Sequence, residues 1–465
     1  MRSLSLWAKA RGLLASIPLI PAQAGIQSRL RRLRKFWVPA FAGTSGYSST
    51  GPKFALALFA LCVLILPNVA KAADPIRIGM TMALTGGVAP IGKQVLTALQ
   101  IWRDDVNAKG GLLGRPVELV VYDDQSNPAN IPSLYTKLID VDNVDLLIGP
   151  YATNMVAPAI PVLMQHKKTT IGILANAANS KFHYDQYFSM LPTGPEPQKS
   201  FAYGFFQLAA GATPRPKTVA IVAADAEFAQ NAADGARQSI KESGDFEIVL
   251  DEKYPPPTTD FTPVMRAAQA VNPDIVFVAA YPPDSVGIVR ASNEIGLTPK
   301  MFGGTFIGLL VTPIKMQLGP LINGIINNEV FLPAQSLVFP GTKELLAKYQ
   351  AGAQTQGIDP MGWGFVPVAY AAGQTLAQAV EGTKSTDQVQ LAAYMRTHTF
   401  STVIGEIKFG KDGEWAKARV FFTQFQHVTG NSLDQFRDVS HEVVVWPNEY
   451  KTGELIYPYA EAKKP

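Results

Sequence analysis

Along residues 74–297, short apolar runs alternate with segments in which apolar residues recur every third or fourth position. The run 75–82 (PIRIGMTM) reads as a first strand, closed by Leu84-Thr85-Gly86-Gly87. In 92–109, Val95, Leu99, Trp102 and Val106 fall at helical spacing, and Gly110-Gly111 ends the helix. A strand at 117–122 (VELVVY), a helix at 129–139 and a strand at 144–148 (VDLLI) follow. These strands are unbroken apolar runs rather than alternating ones. That pattern suits a parallel sheet covered on both faces, and repeated β-α-β order is how a chain builds one.

The same order restarts beyond 192–197, a proline- and glycine-bearing passage suited to a crossover. Strands are expected at 218–224 (TVAIVAA), 246–250 and 275–280 (IVFVAA), with helices at 231–243, 262–271 and 284–295. The chain therefore reads as α/β, with two doubly wound, Rossmann-like lobes and a cleft between them. The last part changes character. There, 407–409 and 420–425 read as antiparallel strands around a turn at Lys411-Asp412-Gly413.

A different pattern occupies the start. Residues 54–66 (FALALFALCVLIL) are thirteen apolar residues in a row, too few for a bilayer-spanning helix, which needs about 20. Lys53 precedes the run, Pro67-Asn68 breaks it, and Ala70-Lys71-Ala72 supplies small residues at the cleavage positions. A secretory signal peptide is expected at 51–72, cut after Ala72 or Ala73. Cys62 lies within the apolar run, not at its end, which argues against a lipid anchor. A freely diffusing protein in the periplasm is the consistent picture. Residues 1–50 are rich in Arg, lack acids, and contain IPAQAGIQ (20–27) and VPAFAGT (38–44), which look like translated repetitive DNA. They are read as a non-functional extension ahead of a start near Gly51.

Composition narrows the function classes. At 465 residues the chain is long enough for two or three domains, and 47% hydrophobic against 17% charged residues excludes a largely disordered one. The formal charge of +4 averages two regions. Residues 1–72 hold ten Lys and Arg and no acid, so the remainder carries 31 basic and 37 acidic residues, a net of −6. An acidic body gives nucleic-acid binding no electrostatic basis. Cys62 is the one cysteine, so cleavage leaves no thiol for disulfides, metal sites or nucleophilic chemistry.

No catalytic signature stands out: there is no G-x-x-x-x-G-K-[ST], G-x-S-x-G, H-E-x-x-H or G-x-G-x-x-G. The five histidines are scattered, and His441-Glu442 runs into three valines as a strand edge. No cofactor, metal or enzymatic activity is expected. What remains at the strand ends is glycine, small polar residues and aromatics. Open α/β sheets bind ligands at the carboxyl ends of their strands. Four such ends stand out: 83–87 with Thr85, 149–154 (GPYATN), 175–179 (ANAAN, with Ala175, Asn176 and Ala177), and Tyr281. Thr153 and Asn154 open a helix whose free N–H groups suit a carboxylate, although Thr153 also fits a plain helix cap. Tyr151, Phe228, Tyr281 and Phe306 are candidate walls for an apolar ligand.

Several passages carry a resemblance: IRIGMTMALTGG, WRDDVNAKGGLLGRPVELVVYDDQSNP (102–128), LIGPYAT (147–153), NPDIVFVAAYPPDSVGIVRASNEIGL (272–297) and VVVWPNEYKTGELIYP (443–458). In these the chain resembles the branched-chain amino-acid (Leu/Ile/Val) type of periplasmic binding protein that serves ABC transporters. The resemblance implies the type I periplasmic binding fold, with lobe 1 at 74–192 plus 333–412, lobe 2 at 193–332 plus 413–450, and a C-terminal tail at 451–465. It implies a monomer that captures a small hydrophobic carboxylate, such as a branched-chain or related amino acid, and hands it to an inner-membrane ABC permease. Residue by residue, Thr153 matches a hydroxyl that binds the ligand carboxylate, and Ala175 and Ala177 match the next loop. Phe228 and Tyr281 match aromatic walls, and Thr305 matches an acid that pairs with the ammonium.

Two positions depart from that pattern. Ala177 stands where the family usually has a hydroxyl, and Thr305 where it has Glu or Asp. A buried ammonium without a charge partner is costly by several kcal/mol. An aromatic or aliphatic acid without the amino group is therefore the alternative ligand, unless Asp225, Glu227 or Asp284 supplies the charge. A ligand-sensing protein of the same fold is the alternative role.

Overall fold

The two runs of β-α-β pattern close into two sheets. A computed structural model describes residues 73–464; the leader through Ala72, with Cys62, lies outside the described residues. β1 (Ile76–Met82), β2 (Val117–Asp123), β3 (Leu146–Tyr151), β4 (Thr170–Ile173) and β5 (Tyr187–Ser189) form an all-parallel sheet in the order β2-β1-β3-β4-β5. The second sheet begins with β6 (Thr218–Ala224), β7 (Glu247–Tyr254), β8 (Ile275–Ala280), β9 (Met301–Phe306) and β10 (Ile326–Glu329), all parallel. After a separate hairpin of β11 (Thr399–Thr402) and β12 (Gly405–Lys408), the chain adds β13 (Phe421–Phe425) and β14 (Glu442–Trp446) antiparallel to that sheet. Its order is β14-β13-β10-β9-β8-β6-β7.

Burial follows position in the sheet. β3, β8 and β9 are buried along their whole length, whereas the parallel edges β2 and β7 are largely part-exposed and carry the charges of VELVVYD and EIVLDEKY. Helices cover both faces. On the helix Ala89–Ala108, Val95, Leu99 and Trp102 are buried, and the Trp102 indole lies against Gly373 of the helix Val366–Thr383. A Cβ at 373 would stand 2.3 Å from that ring, so only glycine lets the helices approach. Asp105 on the same helix pairs with Lys348 and accepts a 2.9 Å hydrogen bond from the Tyr370 hydroxyl. Residues of the 342–397 region thereby pack beside the first sheet, although in sequence they fall between β10 and β13 of the second.

The chain passes between the lobes three times, at 190–196, 330–341 and 409–420. The third passage corrects an expectation. The pair 407–409 with 420–425 does not form: β12 pairs with β11, β13 pairs with β10 and β14, and the turn at 411–413 closes only an isolated bridge from Phe409 to Trp415. These residues are committed to the first crossover instead. The Trp415 indole N–H donates to the Ser189 carbonyl at 3.1 Å, and the Arg419 N–H to that of Pro192 at 2.7 Å. The C-terminal stretch given above as a tail packs on the second lobe. Tyr459 stands edge-on to Phe302 at 5.5 Å, and Ile456 exchanges backbone hydrogen bonds with the Gln424 amide.

Glu414, in the third passage, is buried, and that burial raises its carboxyl to about 8. In the unfolded chain a Glu titrates near 4.3, so between these values the folded protein binds the extra proton. Stability drawn from Glu414 is therefore full at low pH and is lost as pH rises toward 8. Relative to wild type, Glu414→Gln is expected to gain about 1.4 kcal/mol between pH 6 and pH 7. Denaturation curves at both pH values test this; a difference independent of pH would contradict the buried-acid account. No described helix is long and apolar enough to cross a membrane.

Candidate functional site

The tips of β3 and β4 face the second lobe. β3 ends at Tyr151, and Ala152, with φ 82°, turns the chain into the helix Thr153–Gln165. Thr153 does not cap this helix. It is the first helical residue and makes no capping bond; Ala152 holds the cap position. Its hydroxyl oxygen instead accepts the Asn176 N–H at 2.9 Å. That leaves the hydroxyl proton free to donate, beside helix N–H groups that have no intrahelical acceptor. Asn176 sits in the loop after β4, where Leu174 (φ 52°) and Ala177 (φ 55°) turn the backbone.

The lobes meet here. The Asn176 carbonyl accepts a 3.0 Å hydrogen bond from the side chain of Asn231, on the helix Glu227–Ser243 of the second lobe. Lys181 lies 3.6 Å from Glu227, and Asp359 accepts the Thr312 N–H at 2.6 Å. Between the lobes lies a cavity of about 30 Å³, room for a water or two. Tyr151, Thr153, Leu174 and Phe365 face it from one side, and Phe228, Tyr281, Leu310 and Asn328 from the other. The aromatic walls brace each other edge-on: Tyr151 with Phe365 at 6.0 Å, Phe228 with Tyr281 at 5.7 Å, and Phe201 behind Phe228 at 6.0 Å. Tyr281 also borders a larger mouth pocket of about 560 Å³, shared with Asn154 and Asp284.

Of the ten residues singled out in the sequence, Tyr151, Thr153, Phe228 and Tyr281 line the cavity. Asn176 stands behind Thr153 and bridges to the second lobe, between the buried Ala175 and Ala177. Thr85 is exposed and donates its hydroxyl to Asp123 at 2.7 Å. Thr305 and Phe306 are fully buried in β9, where Phe306 packs edge-on against Phe302 at 5.7 Å. Neither lines the cavity. Phe365, Leu310 and Asn328 do line it and were not anticipated. For Asn328 a signal existed: the polar stretch INNE interrupts an otherwise apolar run at 325–332.

Among the described residues, none that lines the cavity carries a charged side chain. Asp284 is buried at the mouth, where burial raises its pKa; its carboxylate accepts the Tyr254 hydroxyl at 3.0 Å and the Tyr281 N–H at 3.3 Å. Glu227 faces Lys181, and Asp225 is exposed. The arrangement offers ring faces, a hydroxyl donor at a helix start, and two polar groups without partners among the described residues, the Tyr281 hydroxyl and the Asn328 amide.

The chain resembles known proteins in sequence and in fold. The sequence profile described as periplasmic binding protein matches residues 75–431. The Leu/Ile/Val-binding protein of Escherichia coli (strain K12) is 24% identical over 381 residues, 81% of this chain and 98% of its own length. Two solved structures share the fold. One is the branched-chain amino acid transporter substrate binding protein of Streptococcus pneumoniae in complex with isoleucine, with TM-score 0.63 and 21% identity over 83% of this chain and 100% of that one. The other is an ABC transporter solute binding protein of R. palustris in complex with benzoate, with TM-score 0.66 and 19% identity over 82% and 98%.

Proposed function

Because the chain belongs to the periplasmic binding protein family, we propose that it is the extracytoplasmic substrate-binding component of an ABC transporter. It captures a small hydrophobic carboxylate, such as a branched-chain or related amino acid, by closing two lobes over it. The observation that carries this reading is the cavity at the facing strand tips, where the Thr153 hydroxyl opposes the Phe228 and Tyr281 rings. Closure joins the donors of one lobe to the walls of the other, so the closed form binds more tightly than the open one. In this reading 51–72 is a cleaved signal peptide, the mature monomer works in the periplasm, and an inner-membrane permease receives the ligand without any chemical conversion. Residues 74–192 with 333–412 make the first lobe, and 193–332 with 413–450 most of the second.

A second reading of the ligand rests on the absence of any acid from the cavity wall. An ammonium there has no carboxylate to face, and burying it unpaired costs several kcal/mol. An acid lacking the amino group suits the wall better. A thermal-shift panel separates the readings, because a ligand at a hundred times its Kd stabilises by about 2.7 kcal/mol. The panel sets leucine, isoleucine and valine against 4-methylpentanoate and benzoate. Larger shifts with the desamino acids are expected. Shifts with the amino acids alone would refute the desamino reading, and no shift with any of the five would refute carboxylate capture.

A further inference from the structure

β10 carries two adjacent asparagines with opposite fates. Side chains alternate across a strand, so Asn327 and Glu329 point to one face and Asn328 to the other. The Asn327 amide is fully used: it accepts the Phe306 N–H at 2.8 Å and donates to the Phe306 carbonyl at 3.2 Å. Asn328 is equally buried, at 0% exposure, and faces the interlobe cavity. Neither its Nδ2 nor its Oδ1 has a hydrogen-bond partner among the described residues. Leaving both atoms of an amide unpaired inside a protein is destabilising, and an apolar side chain of similar size, such as Leu, would fit the same wall without that cost.

We propose that Asn328 is a specificity-determining residue that recognises a hydroxyl on the ligand, at the end remote from the carboxylate. This rests on the carboxylate reading of the site above. A carboxylate only accepts and an ammonium only donates, so either leaves one atom of the amide unpaired. A hydroxyl both donates and accepts, and it is the smallest ligand group that satisfies Oδ1 and Nδ2 together. Thr153 and Asn328 come from different lobes, so a ligand with an acid group at one end and a hydroxyl at the other engages both and rewards closure.

Two matched pairs test this by calorimetry on the mature protein: benzoate with 4-hydroxybenzoate, and 4-methylpentanoate with 4-hydroxy-4-methylpentanoate. Wild type is expected to bind the hydroxylated member of at least one pair ten- to a hundredfold more tightly, because a site built around a hydroxyl rejects the analogue that lacks it. Asn328→Leu is expected to abolish that preference, so that the hydroxylated member binds no more tightly than the plain acid. Asn328→Val, smaller and still apolar, serves as a second variant should the leucine disturb folding, and the melting temperature of each free variant checks that it folds. Equal binding of both members by wild type, or a preference surviving in the variants, overturns the proposal and leaves carboxylate capture standing. If no acid binds wild type at all, carboxylate capture fails and this inference fails with it.

Discussion

Replacing Lys315 with Met is expected to remove about 3–5 kcal/mol of stability, the range found when one partner is stripped from a buried ion pair. Lys315 sits on the helix Thr312–Leu318, with its ammonium 2.7 Å from Glu442 at the start of β14. Both side chains are almost wholly buried. Glu329, at the end of β10, faces the same pair, and burial together with the Glu442 charge pushes its carboxyl well up. One ammonium thus serves two buried carboxyls. Burial opposes the charge on Lys315, yet Glu442 and Glu329 outweigh it and its pKa is raised. With Met in place, Glu442 is a buried carboxylate without a cation. The double variant Lys315→Met with Glu442→Leu removes the whole pair and is expected to recover most of the loss, since apolar replacement of complete buried pairs is often neutral or better. Urea denaturation of both variants measures this. A single variant within 1 kcal/mol of wild type would mean that the cluster contributes nothing of note.

That cluster also shows where reading the chain by pattern stops. Lys315, Glu329 and Glu442 are far apart in sequence, and nothing local marks their convergence. The central strands were legible because burial on both faces forces unbroken apolar runs: 218–224 and 275–280 match β6 and β8 residue for residue. Helix 129–139 was legible only in outline. It divides into a 3-10 turn at Pro128–Asn130, an α-helix at Ile131–Thr136 and a π turn at Lys137–Val141; Pro132 lacks the N–H that would continue the ladder across the first of these junctions. The lobe crossings are harder still. Their partners are other crossings, so Trp415 and Arg419 reach Ser189 and Pro192 across more than 200 residues, and no periodicity records it.

The site divides along the same line. Tyr151, Thr153, Phe228 and Tyr281 follow directly on strands or open helices, where the rule that ligands meet strand tips can find them. Leu310 reaches the cavity from the end of a 3-10 turn at Ile307–Leu310, and Phe365 from the residue before the helix Val366–Thr383. Asn328 reaches it from inside a strand. For such residues the alternation of a known register is needed before anyone can say which side chain faces the gap.

Thr153→Val is expected to lower affinity for a bound carboxylate at least a hundredfold, whereas Thr153→Ser stays within about fivefold. The substitution removes one oxygen from a site that is 1% exposed and changes little else in shape. A hydrogen bond to a charged group contributes about 1.5–3 kcal/mol, and a hundredfold change is about 2.7 kcal/mol. Two losses combine here. The ligand loses the hydroxyl donor at the helix start, and the Asn176 N–H loses its acceptor at 2.9 Å. Asn176 also receives the Asn231 side chain from the other lobe, so slack in this loop weakens closure as well as direct contact. Serine restores both bonds, which is why it separates chemistry from bulk. Calorimetry with whichever acid gives the largest thermal shift reads the affinities, and the melting temperature of the free variants checks the fold. If the valine variant binds within tenfold of wild type while folding normally, the carboxylate is held elsewhere, and the start of the helix Thr153–Gln165 has no part in capture.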